Sequence, residues 1–135
     1  MARVIAFVAL MAVLLPVQLR AEDSFIGTWQ PFSKTTLFWG ALTVQTDRVT
    51  YAEGMKAGLA PVRDGGSVFQ LVNPEGEAFK DCGADPVTYV GFRVLSDGQL
   101  AVLHYGGNAP PNEPTGNDPM AIIQNGACSV SFYER

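Results

Sequence analysis

Groups able to do chemistry are few in this 135-residue chain. His104 is the only histidine, and as a general base it would need a nucleophile and an orienting carboxylate within reach. No G-x-S-x-G elbow supplies the nucleophile, so His104, followed by Tyr105, reads as a partly exposed histidine at a strand end. Glu75 with Glu77, or Asp81 with Asp85, could form an acid/base or calcium pair. Turn chemistry explains them more simply: Glu75 precedes Gly76, and Asp85 precedes Pro86. Gly65-Gly66 has neither the lysine nor the following helix of a phosphate cradle. No catalytic residue, metal site or cofactor is assigned, and the expectation is a protein that is not an enzyme.

Cys82 and Cys128 lie 46 positions apart. With one histidine in the chain they do not compose a zinc site, and in an oxidising compartment an even pair predicts a disulfide. Closing such a loop is worth about 4 kcal/mol in the chain-entropy treatment. The compartment is inferred from the start of the chain. Arg3 precedes an unbroken apolar run from Val4 to Leu15, and Ala21 offers a small residue for cleavage. Residues 1–21 therefore read as a secretory signal peptide, too short in its apolar run for the roughly 20 residues of a membrane span. Residues 22–135 are then a single domain in the periplasm or outside the cell, with no membrane span after cleavage. Removing Arg3 and Arg20 takes nine cations to seven against thirteen anions, a net charge of −6. The remaining cations are scattered, which disfavours nucleic acid as a partner.

The elements that must position these residues are short and punctuated by turns. FIGTWQ, LFWGALTVQ, RVTYA, GLAPV, SVFQLV, VTYVGFRVL, QLAVLHY, MAIIQ and ACSVSFYE give nine strand candidates, with no segment of helical period. Asp97-Gly98 and Asn125-Gly126 are tight hairpin signals, and NPEG at 73–76 reads as a further turn. Alternation puts Val90, Phe92 and Val94 on one face of their strand. In the last strand it puts Cys128, Val130 and Phe132 opposite Ser129, Ser131 and Tyr133. A two-residue loop at Asn125-Gly126 would set Ile123 across from Cys128. Residues Leu37 to Leu42, apolar on both faces, suggest a covered strand or an exposed binding surface. An all-β fold follows.

Gly27-Thr28-Trp29 on the first strand resembles the opening motif of the lipocalin-like (calycin) barrels. Together with ALTVQTDRVTY, a Cys-Gly before PVTYVGF and a second cysteine in the final strand, the layout is similar to small exported bacterial proteins of an uncharacterised family that begin GTW. The resemblance implies a small antiparallel lipocalin-like barrel or half-barrel in which Trp29 packs across a closed end. It departs from a full lipocalin in its short length and in lacking a long crossover helix, which leaves little room for a cavity.

GGNAPPNEPTGNDP, residues 106–119, has ten Gly, Pro or Asn residues in fourteen. Such a stretch forms neither helix nor ladder strand, and long loops of this kind are commonly functional or disordered. It carries no large apolar side chain, so its replacement by a short connector is expected to leave stability nearly unchanged. The leading expectation is an exported binding module that engages a protein or the cell envelope through a strand face and this loop. Its rival is a carrier whose barrel takes a small apolar ligand. The candidate binding residues are Trp29, Trp39, His104, Tyr105, Asn108, Pro110, Pro111 and Asn112. A filled interior favours the binding module, and an apolar cavity of several hundred cubic ångströms favours the carrier.

Overall fold

The computed structural model describes residues 25–80 and 82–135. The signal-peptide reading of residues 1–21 and the carboxylate of Asp81 lie outside them. Eight antiparallel strands close into a barrel in which each strand pairs with its neighbours in sequence and the last pairs with the first. They are β1 (Gly27–Pro31), β2 (Leu42–Val44), β3 (Arg48–Tyr51), β4 (Lys56–Pro61), β5 (Val68–Glu75), β6 (Tyr89–Val94), β7 (Leu100–Tyr105) and β8 (Ser129–Glu134). Closure rests on a short seam, Gln30 against Glu134 and Pro31 against Tyr133. A closed ladder leaves no unpaired strand edge for another chain to extend.

The eighth of the nine strand candidates is a helix. In MAIIQ, Pro119–Ile122 forms α2, because Asp118 caps it by accepting a hydrogen bond from the Ala121 N–H (2.9 Å) and Pro119 fits the first helical position. Asn125-Gly126 therefore turns no hairpin, and Ile123 is exposed rather than paired across from Cys128. The Cys128 N–H instead donates to the His104 carbonyl (2.9 Å).

Residues 37–45 are likewise not one strand. Lys34–Trp39 forms a helix, α1, and only Leu42–Val44 enters the sheet. The Thr36 hydroxyl accepts from the N–H groups of Phe32 (3.1 Å) and Ser33 (3.0 Å), which closes the first turn. Gly40 ends the helix at φ 73°, where an added Cβ would lie 2.9 Å from that of Ala52. NPEG is no turn either: β5 runs through it to Glu75, with Asn73 at φ 49° and a register shift opposite Lys56–Gly58 that marks a bulge. The Ser96–Gly98 turn forms as expected, with Leu95 and Gln99 bonded across it.

Two apolar layers result. The barrel interior holds Leu42, Val44, Tyr51, Phe69, Phe92 and Tyr133 among others. A second cluster lies on the outside of β5 to β8 and contains Val68, Tyr89, Leu95, Ala101, Leu103, Tyr105 and Ile122. Val90, Phe92 and Val94 share the inward face as alternation predicts. In β8 the polarity is the reverse of the expectation: Ser131 and Tyr133 are buried inside, while Val130 and Phe132 pack against the outer cluster. Outward-facing apolar residues are tolerated here because residues 106–122 cover them.

Candidate functional site

Both ends of the barrel are closed by aromatic side chains. At the end formed by the 61–68 and 94–100 turns, Trp29 is 1% exposed and donates its indole N–H to the Phe25 carbonyl (3.0 Å). The Arg135 guanidinium lies over its ring at 4.2 Å, a cation–π contact. Phe25 enters the interior, stacked on Phe92 at 5.3 Å and edge-on to Phe69 at 6.0 Å.

At the opposite end, Trp39 from α1 and Phe79 from a 3₁₀ turn (Glu77–Phe79) both pack against Tyr51 and His104. Trp39 lies 5.8 Å from the Tyr51 ring and 6.3 Å from His104, and Phe79 lies 5.8 Å and 6.2 Å from the same two. His104 is only 1% exposed, inside the barrel rather than at a partly exposed strand end. β7 ends at Tyr105 beside the Cys82–Cys128 bridge, where the Cys128 N–H donates to the His104 carbonyl. The bridge forms between the two cysteines as expected, with 5.2 Å between their Cα atoms.

The buried groups beneath this lid are Tyr51, His104, Ser131 and Tyr133. Burial pushes the Tyr51 hydroxyl well above its ordinary acidity range, and the neighbouring Tyr133 pushes it further. Burial also raises Tyr133. On the outer face, burial and then the charge of Glu113 push Tyr105 up to about 12. All three phenols are therefore neutral at physiological pH. Among the described residues, no three His, Cys, Asp or Glu side chains gather as a metal site.

Residues 106–119 form a strap pinned across the outer cluster. The Thr88 and Tyr89 hydroxyls donate to the carbonyls of Gly107 (2.6 Å) and Asn108 (3.2 Å), and Arg63 donates to that of Pro111 (2.8 Å). Glu113 accepts from the Ser67 N–H (3.0 Å) and hydroxyl (2.8 Å). Arg93 donates to the Pro114 and Gly116 carbonyls and to the Asn117 side chain, and Ser96 bonds the Asn117 carbonyl. Pro114 is buried over Gly91, 3.6 Å from where a Cβ would stand. Asn125 then ties the strap to α2, donating to the carbonyls of Thr115 and Ile122 (both 2.8 Å).

The eight predicted binding residues consequently do not converge. Trp29 and His104 are interior at opposite ends, and Trp39 is partly buried in the lid. Tyr105 lies beneath the strap. Asn108, Pro110 and Asn112 are exposed on the strap, with Pro111 half-buried beside them. The segment expected as a covered strand or an exposed binding surface, Leu37 to Leu42, begins in α1 instead, and on α1 and its approach Phe32 is 55%, Leu37 62% and Phe38 81% exposed. The signal for the helix was the Ser33-x-x-Thr36 capping pattern followed by Gly40.

Two solvent-open clefts complete the surface. One of about 530 Å³ lies beside Trp29, Asp97, Gln99 and Arg135, and one of about 550 Å³ lies over β3 to β5 between Arg48, Lys56, Val72 and Glu75. Lys56 and Glu75 pair at 3.9 Å in the second, both well exposed, so the contact is weak. No protein-family model matches the chain, and no curated protein or solved structure matches it either.

Proposed function

We propose that this protein is an exported, non-enzymatic binding module of lipocalin-like build that engages a partner outside the cytoplasm. The observation that carries the reading is the distribution of apolar side chains. Aromatic rings pack inside the barrel and toward both of its ends, while Phe32, Leu37 and Phe38 stand exposed on one short segment. Exposed apolar clusters on a small domain mark contact surfaces. The engaging surface is therefore α1, in place of the strand face expected at 37–42, joined by the exposed strap side chains Asn108, Pro110 and Asn112. Export is supported by the leader pattern of residues 1–21 and by the disulfide. The lipocalin-like build is supported by the eight-stranded closed barrel and by Trp29 under Arg135 at its end.

The carrier reading would require Trp39 and Phe79, or Phe25, to swing away before a small apolar ligand could enter. A capture experiment separates the two. The parent and a Leu37→Ser/Phe38→Ser variant, immobilised, are offered the extracytoplasmic fraction. Partner recovery at least tenfold weaker in the variant, about 1.4 kcal/mol, supports the binding module. Equal recovery, together with saturable uptake of an apolar dye quenched by Trp39, would favour the carrier.

A further inference from the structure

We infer that the surface met by α1 is a lipid bilayer, a reading that rests on the binding module proposed above and names its partner. Phe32, Leu37 and Phe38 expose roughly 400 Å², taking 150–250 Å² for an aromatic side chain. Two copies meeting through this patch would bury about half of the roughly 1,600 Å² of a standard stable interface. The patch is too small for a self-sufficient protein dimer, yet it has the form of an interfacial anchor: two aromatics, a leucine and a cation.

Charge and hydrogen bonding point the same way. Between Pro31 and Thr46 the only charged residue is Lys34, on α1 itself. Over the whole chain carboxylates outnumber cations, thirteen to nine, and the Glu53 side chain lies beside Gly40 at the far end of the helix. α1 and its approach thus carry a cation and no carboxylate in a chain of net negative charge. The segment also meets much of its own backbone demand, with the Phe32 and Ser33 N–H groups held by Thr36, the Leu37 N–H on the Ser33 carbonyl (3.1 Å) and the Gly40 N–H on the Thr36 carbonyl (3.0 Å). Polar backbone must be satisfied internally wherever lipid replaces water. Phe38 and Leu37 would enter the acyl boundary while the Lys34 ammonium stays among the headgroups.

The test uses the exported protein, with parent and variants carrying the same N-terminus so that any leader contributes equally. Phe38→Trp places an indole at the most exposed position, and vesicles of phosphatidylcholine, with and without phosphatidylglycerol, carry brominated acyl chains. The expected result is a blue-shifted, quenched emission beyond that of the parent's own tryptophans, and at least tenfold weaker vesicle sedimentation for Leu37→Ser/Phe38→Ser. Absence of added quenching in both compositions, with the variant's near-ultraviolet spectrum native, overturns the inference. If the double variant still loses capture of a protein, or loses a parent dimer, the binding surface stands and its partner is not lipid. If neither vesicles, protein capture nor self-association respond, both readings fall together.

Discussion

Two segments of this molecule have compositions that point away from their roles. Residues 32–39 are rich in Phe, Leu and Trp and look like material for the core, yet Phe32, Leu37 and Phe38 face solvent on a capped helical turn and a half. Residues 106–119 are rich in Gly, Pro and Asn and look like a free loop, yet their carbonyls are pinned by Arg63, Tyr89, Arg93 and Ser96 over an apolar outer face. The difference is where each segment's backbone bonds go. Proline-rich chain cannot pair with itself, so its carbonyls accept from long donors on the sheet it crosses. A short helix bonds internally and leaves its side chains free to project.

The largest effect expected from that contrast falls on the strap. Replacing residues 106–119 by a short Gly-Ser connector uncovers Tyr89, Leu95, Leu103 and Tyr105, and should cost several kcal/mol, at about 1.5–3 kcal/mol per large apolar side chain returned to water. Equilibrium denaturation reads this directly; a midpoint unchanged from the parent would restore the free-loop reading. Reducing the Cys82–Cys128 bridge, which fastens the returning end of the same segment, should cost on the order of 2–5 kcal/mol. Matched melts with and without reductant check it.

A smaller effect is expected at Arg93, whose guanidinium holds three groups of the strap. Arg93→Leu should destabilise by about 1–3 kcal/mol and raise amide exchange in residues 114–117 ahead of the barrel. Exchange that rises uniformly would mean that strap and barrel open as one unit.

The phenols offer a pH test of burial on both faces. Tyr51, Tyr105 and Tyr133 each have a folded pKa above the ordinary value of 10. The folded state then holds protons that the unfolded chain has released. Stability should be full below about pH 10 and fall as pH rises through the folded values. Spectrophotometric titration should show Tyr51, Tyr105 and Tyr133 ionising only with alkaline unfolding. Early ionisation of Tyr105 would show the strap to be open in solution.

The barrel was legible because period-two alternation survives wherever one strand face meets the interior, as it does for Val90, Phe92 and Val94. It misled at β8, where apolar Val130 and Phe132 pack, partly buried, against the outer cluster and the interior takes Ser131 and Tyr133. Alternation reports two faces and does not say which one is inside when a cover exists on the outside. The short helices were hidden for a different reason. Thr35, Thr36, Phe38 and the isoleucines of MAIIQ carry β-propensity, while capping by Thr36, Asp118 and Pro119 decides the local structure. The candidate site was less legible: of the expected binding residues, Trp29, His104 and Tyr105 are buried, because residue type and spacing do not report what covers a strand face.

The smallest effect on stability, and the largest on function, is expected at α1. Leu37→Ser/Phe38→Ser removes side chains already in water, so the unfolding free energy should stay within about 0.5 kcal/mol of the parent. The most direct measurement of the central claim is the partition of this folded double variant between buffer and the parent's partner, whether vesicle or captured protein. The account predicts binding at least tenfold weaker at unchanged stability. Binding retained at parental strength would contradict it.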